Sequence, residues 1–224
     1  MIKFQKVSKK FGDNSQALLD LNFSVEKQEF VFLVGPTGSG KTTIFRLIIK
    51  ELDPSEGSVI VGEWDVRRLP PDRVPLLRKK VGVVFQDLKL LNDRTVFENV
   101  ALPLEIDDKD ENQVRKRAEE VLEQVGLLDH KDKFPAQLSG GELQRVAIAR
   151  ALALSPEIIL ADEPTGNLDP ATSMSIVERL LEINKKGTTI IMATHNFDII
   201  KSVPKRVIAL DKGKLVRDEK SSKK

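Results

Sequence analysis

The chain has 224 residues, 40% of them hydrophobic, enough for one α/β domain with a sizeable core, with or without an inserted subdomain. Its 36 basic and 34 acidic residues leave a formal net charge of +2, so no overall field gathers nucleic acid, which is not an expected partner. Cysteine is absent, which rules out disulfides and thiolate metal sites, and no apolar run approaches the roughly 20 residues that cross a bilayer. The chain opens with Ile2 and Phe4 alternating with Lys3 and Gln5, without the apolar stretch of a secretory signal; a soluble, cytoplasmic chain is expected. Residues 19–26 alternate more strictly, and a period of two marks half-exposed, antiparallel strands. A different pattern follows from Phe30 to Val34, an apolar run without alternation, as expected of a parallel strand covered on both faces.

That strand leads directly into Gly35-Pro36-Thr37-Gly38-Ser39-Gly40-Lys41-Thr42, which fits G-x-x-x-x-G-K-[ST]. The chemistry needs glycines because successive backbone N–H groups must curl towards phosphate oxygens, and a Cβ would obstruct them. A helix beginning near Lys41 adds its positive dipole end, Lys41 neutralises β- and γ-phosphate oxygens, and the Thr42 hydroxyl takes one position on Mg²⁺. A mere surface glycine turn would not need this strand before it and helix after it.

Val81 to Phe85 is a second covered strand, followed by Gln86, which taken alone is a polar strand cap. Next to it the basic cluster Arg78-Lys79-Lys80 reads as solvated surface. Strand-like runs then vanish from about residue 88 to 154, a stretch expected to be a helical insertion. Its clearest stripe is Val114, Ala118, Val121, Leu122 and Val125, stopped by Gly126. Late in this interval stands Leu138-Ser139-Gly140-Gly141-Glu142, a run of small residues. Ile158 to Ala161 returns to the buried-strand pattern and ends in Asp162-Glu163, at the carboxyl end of a sheet where ligand-binding groups are presented. Alone, two such acids are a solvated turn. Downstream of a phosphate loop, Asp162 can hold Mg²⁺ and Glu163 can polarise a water. Thr188 to Ala193 repeats the pattern and is followed by His195, while His130 has no such setting and receives no role. Residues 218–224 read as a frayed polar tail after a core of about 1–87 and 155–217.

Six motifs now stand in order along the whole chain: residues 35–42, Gln86, 138–142, 158–163, Asn167-Leu168-Asp169 and His195. Together they resemble the ATP-binding-cassette (ABC) ATPases. The resemblance implies an α/β fold, a P-loop (RecA-like) nucleotide-binding domain with an N-terminal antiparallel β subdomain and an inserted α-helical subdomain. It implies ATP hydrolysis with Mg²⁺, and a homodimer with ATP sandwiched between the copies. One copy would hold ATP through Gly35, Pro36, Thr37, Gly38, Ser39, Gly40, Lys41, Thr42 and Thr43; the other would add Ser139, Gly140, Gly141, Glu142 and Asp169 in trans. Mg²⁺ would fall to Thr42, Gln86 and Asp162, and catalysis to Glu163, His195, Gln86 and Lys41. Phe11 matches the aromatic that stacks on adenine, where many relatives carry Tyr; plain core packing is its competing reading.

Residues 90–104, with Asn92-Asp93-Arg94-Thr95-Val96 and Asn99-Val100-Ala101-Leu102-Pro103-Leu104, resemble the bacterial cell-division branch of that family. Lipoprotein-releasing and macrolide-type exporter ATPases share the Leu-Leu and Asn-Val elements but usually carry Pro-x-Leu-Thr where this chain has Asn92 to Thr95, and they remain the alternative. A soluble nucleotide-gated clamp of repair or translation is an alternative of another class; it would ordinarily bring a second cassette or a long coiled coil. The branch implies an integral membrane partner, FtsX, docked near Leu88, Leu90 and Leu91, with FtsZ as a candidate second contact. A peripheral place on the cytoplasmic face of the membrane at the division site goes with it.

Overall fold

In the computed structural model, which describes residues 1–12 and 15–220, two sheets share the chain. Strand β1 (Ile2–Lys10) pairs antiparallel with β2 (Gln16–Val25) on one side, and β3 (Phe30–Val34) then enters the second sheet. Helix α1 (Lys41–Ile48) follows the phosphate loop, and β4 (Glu56–Val61) and β5 (Trp64–Asp65) complete a first sheet ordered β2-β1-β4-β5. The short helix α2 (Val74–Lys79) leads into β6 (Val81–Val84). Helices α3 (Val96–Ile106), α4 (Glu111–Gln124) and α5 (Gly140–Leu152) come next. The rest alternates: β7 (Ile158–Asp162), α6 (Pro170–Lys185), β8 (Thr189–Ala193), α7 (Phe197–Ser202), then the hairpin β9 (Arg206–Asp211) and β10 (Lys214–Glu219). The second sheet runs β10-β9-β3-β8-β7-β6 and is parallel except for its β9-β10 edge.

The apolar runs are explained by where their side chains go. In β3, Val31 and Leu33 join a core shared with β1, β2, β4 and α1, whereas Phe30 and Phe32 join a second core shared with α3 to α6. Successive strand residues point to opposite faces, and both faces are buried, so alternation disappears from the sequence. Strand β7 divides the same way, Ile158 and Leu160 to one core, Ile159 and Ala161 to the other. The helices between residues 96 and 152 therefore cover one face of the central sheet and share its core.

Helix α4 begins earlier than its apolar stripe, because Asp110 caps it by accepting from the Gln113 N–H. The loop before α3 is held by Asn99, fully buried, whose side chain bonds Leu91 N and O and the carbonyls of Arg94 and Thr95. Thr95 and Glu98 form a capping box at the start of that helix. Much of the Asn92 to Asn99 motif thus builds the fold.

The polar tail starts later than residue 218. Asp218 lies in β10 opposite Ile208 and accepts from Arg206 Nε and Nη2, both at 2.7 Å. Arg206, 7% exposed, also donates through Nη1 to the Ser24 carbonyl and to Glu29, so the hairpin is riveted to β2 and β3. The charge that looked like a solvated end instead neutralises a buried guanidinium, whose pKa these partners push further up. Residues 221–224 of the expected tail lie outside the described residues.

Candidate active site

The strand-to-helix step at residues 34–41 sets the phosphate loop at the carboxyl end of the parallel sheet, beside the ends of β7 and β8. A cavity of about 280 Å³ opens there, lined by Thr37 to Thr43, Gln86, Asp162, Glu163 and His195, and by Ala17 from β2. Gly40 caps α1 at φ 105°, in the region that favours glycine, and no side chain among the described residues satisfies the first N–H groups of the helix. Gly38 has φ 79° and nothing within 4 Å of where its Cβ would stand. The loop is thus left open as a cradle for anionic oxygens.

Lys41 is 8% exposed, and its ammonium donates to the carbonyls of Gly35 at 2.7 Å and Pro36 at 3.2 Å. These two residues hold the lysine and do not line the cavity. Ser39 Oγ is buried there without a hydrogen-bond partner among the described residues, a polar atom for which a phosphate oxygen is a suitable partner. Thr42 Oγ1 donates to Asp162 Oδ2 at 2.9 Å. Burial holds the Asp162 carboxyl above its ordinary range; the Thr42 bond and Lys41 oppose this, and the charge of Glu163 reinforces it. A neighbouring cation would relieve that cost.

Glu163 sits at φ 48°, a left-handed conformation uncommon for a side-chain-bearing residue. Its Oε2 stands 3.0 Å from His195 Nδ1, and its Oε1 stands 4.0 Å from Lys41 Nζ. A carboxylate fixed between an imidazole and an ammonium at a phosphate cavity can orient and polarise a water.

The signature residues are elsewhere. Ser139, Gly140, Gly141 and Glu142 do not line this cavity, nor does Asp169. Ser139 caps α5 in a capping box: Glu142 Oε2 accepts from Ser139 N at 2.7 Å and from Ser139 Oγ at 2.6 Å. Those bonds hold the Glu142 carboxyl below its ordinary range. A Cβ on Gly141 would stand 2.6 Å from Thr172 Cγ2, so glycine is required for α5 to approach α6. Asp169 caps α6 by accepting from Ala171 and Thr172 N–H groups. The turn at 139–141 and the loop at 167–169 therefore lie side by side, with Ser139, Gly140 and Asp169 exposed to solvent.

Phe11 does not line the cavity either, and its ring is 37% exposed with Lys9 Nζ 5.5 Å from its centroid, which overturns the core reading. Sequence reasoning missed Ala17, which carries no chemical signature, while His130, given no role, has its Nδ1 3.6 Å from Glu142 Oε1. The adjacency of His130 to Glu142, twelve residues downstream, could not be seen without the turn between them.

The fold and this site define an ATP-binding-cassette ATPase: the chain belongs to the ABC transporter family, whose model matches residues 18–166. It is 45% identical over 219 residues to the cell division ATP-binding protein FtsE of Bacillus subtilis (strain 168), covering 98% of this chain and 96% of that one. Identity to the protein of the same name from Mycobacterium tuberculosis is 48% over 220 residues, with the same coverage, and to that of Escherichia coli K12 it is 45%, covering 96% and 97%. Among solved structures, a dimeric post-hydrolysis state of the ATP-binding cassette MJ0796 bound to ADP and Pi superposes with a TM-score of 0.89 at 38% identity, covering both chains fully. CbiO1 of Clostridium perfringens gives 0.91 at 30% identity over 98% of this chain and 88% of that one.

Proposed function

We propose that this chain is the ATPase subunit of a bacterial cell-division complex. The observation that carries this reading is near-full-length identity of 45% to 48% with cell division ATP-binding proteins from three distant bacteria. MgATP closes two copies head to tail, so that Ser139, Gly140, Gly141, Glu142 and Asp169 of one copy meet the γ-phosphate held by Lys41 of the other. A helix N-terminus bare of bulky side chains suits that role. Hydrolysis weakens the clamp. The cycle acts on an integral membrane protein, FtsX, at the cytoplasmic face of the division site, with FtsZ as a candidate further contact, and controls peptidoglycan hydrolysis across the membrane.

Mg²⁺ fits the residues at hand. Thr42 and Asp162 bring two hard oxygens to 2.9 Å of each other, Gln86 faces the same cavity, and no group of three or more acidic, histidine or cysteine ligands forms among the described residues. Few protein oxygens plus substrate phosphates are what Mg²⁺ ordinarily takes. When bound, it neutralises charge on the transferring phosphate. Around it, Lys41 binds, Glu163 orients the water, and His195 holds Glu163. Phe11 would stack on adenine from outside the present cavity.

The reading is tested by isolating the chain from membranes of its own cell and identifying the bound integral protein by mass spectrometry. FtsX is expected. A lipoprotein- or macrolide-exporter permease in its place would transfer the chain to the exporter branch.

A further inference from the structure

His130 closes a single 3₁₀ turn, Leu128–His130, between α4 and the turn at Ser139, and it does not line the nucleotide cavity. The segment around it is pinned. His130 N donates to the Leu127 carbonyl at 2.9 Å, while the N–H groups of Val96 and Phe97, at the start of α3, donate to the carbonyls of Lys133 and Lys131, both at 2.8 Å. The ring is half-buried, and its Nδ1 is enclosed without a hydrogen-bond partner among the described residues. Facing it at 3.6 Å is Glu142 Oε1. That oxygen is the free half of the capping-box carboxylate, since Ser139 N and Oγ both donate to Oε2. Two unsatisfied atoms thus stand opposite each other just beyond hydrogen-bond length.

An imidazole nitrogen facing a carboxylate oxygen has to carry hydrogen, or two lone pairs would oppose each other. Nδ1 is then the protonated nitrogen of the neutral ring, and the charged ring differs by a hydrogen at Nε2 and a full positive charge. Most other charges around the turn are already matched. Lys131 pairs with Glu119 of α4, which Arg115 also reaches, and Arg94 pairs with Glu98 at the start of α3. Arg145 of α5 joins His130 in holding the Glu142 carboxyl below its ordinary range, behind the two Ser139 bonds. Asp129 and Asp132, on the same segment as His130, are exposed to solvent.

Ser139 has one hydroxyl hydrogen, and it goes to Glu142 at 2.6 Å. Resting on the reading that Ser139 meets the γ-phosphate held by the partner copy, we propose that His130 is a positioning residue for hydrolysis: its charged ring holds Glu142 Oε1 and lets the Ser139 hydroxyl turn to the incoming phosphate. A compensated carboxylate competes less for that hydrogen and repels the phosphate less. The neutral ring leaves the full negative charge beside Ser139. Hydrolysis by paired copies is therefore favoured on the acid side of the imidazole titration, while MgATP binding in each copy's own cavity is untouched.

The test measures phosphate release by the full chain at saturating MgATP from about pH 6 to about pH 8, for the wild type, His130→Gln, His130→Lys and Ser139→Arg. Dividing one rate by another at each pH cancels titrations common to both chains. The wild type is expected to exceed His130→Gln about three- to tenfold at the acid end and to match it at the alkaline end. His130→Lys keeps its charge throughout and should hold its advantage over His130→Gln at both ends. A ratio of wild type to His130→Gln that does not change with pH, or a His130→Lys chain no faster than His130→Gln, would overturn the inference. Should His130→Gln fail to fold, the ratio of His130→Lys to wild type carries the same test: it should rise with pH by a similar factor, and a flat ratio overturns the inference. If Ser139→Arg hydrolyses ATP as fast as the wild type, Ser139 does not serve the partner's site and the underlying reading fails. If Ser139→Arg is impaired while the ratios stay flat, the inference about His130 alone fails.

Discussion

The phosphate loop and the turn at Ser139 each present a helix N-terminus, and the chain treats the two differently. At α1 the capping residue is Gly40, no side chain among the described residues satisfies the first N–H groups, and Lys41, Asp162, Glu163 and His195 converge on the same cavity. At α5 the cap is complete, Ser139 and Glu142 satisfy each other, and neither lines the nucleotide cavity of its own chain. The first end is left open for a ligand in its own chain. The second is made rigid by its cap and by α6, and offers small, exposed residues to whatever approaches from outside. Under the proposed function, a nucleotide site divided in this way would be half-built in one copy.

Substitutions should separate the two halves, and the largest effect belongs to Glu163. Glu163→Gln removes the group proposed to polarise water and should lower hydrolysis about 10²- to 10⁴-fold, read as phosphate release, while equilibrium binding of MgATP persists. Ser139→Arg, at an exposed position outside the cavity, should lower hydrolysis by about 10²- to 10³-fold yet leave MgATP affinity of the isolated chain within a few-fold. A parallel loss of affinity would mean that Ser139 serves its own chain's site.

A smaller effect concerns stability. The Asp162 carboxyl has its folded pKa raised, so its ionisation costs stability above that value and costs nothing below the unfolded pKa near 4. Asp162→Asn should therefore raise the thermal midpoint of the nucleotide-free chain at pH 7, by about 2–4 °C for each kcal/mol relieved, and abolish Mg²⁺-dependent hydrolysis. The stability gain should vanish as pH falls towards 4. Smallest of all, Glu142→Ala opens the capping box of α5 and should cost about 0.5–1 kcal/mol in denaturant unfolding, with a weaker effect on hydrolysis than Ser139→Arg.

The asymmetry between the halves also governs what can be read without coordinates. The phosphate loop, Asp162-Glu163 and His195 are legible because each follows an apolar run, and buried strands of a parallel sheet advertise their own carboxyl ends. Strand β9 offers only the four-residue apolar run Val207 to Leu210 and β10 is polar apart from Leu215 and Val216, so the hairpin stands out less than the central strands, and Asp218 reads as solvated until Arg206 is found beside it. The grip of Arg150 on Leu88 and Lys89 spans about sixty residues, and no local pattern announces it. Gly141 is a borderline case: the sequence marks it as small for a ligand, and the structure adds Thr172, which excludes a Cβ whether or not a ligand comes.

The most direct measurement is the solution mass of the 25.1 kDa chain by light scattering in saturating MgATP, for Glu163→Gln with and without Ser139→Arg. Glu163→Gln should double in mass, and adding Ser139→Arg should return it to the monomer while nucleotide binding persists. A Glu163→Gln chain that stays monomeric, or a double variant that still pairs, would contradict a site shared between two copies.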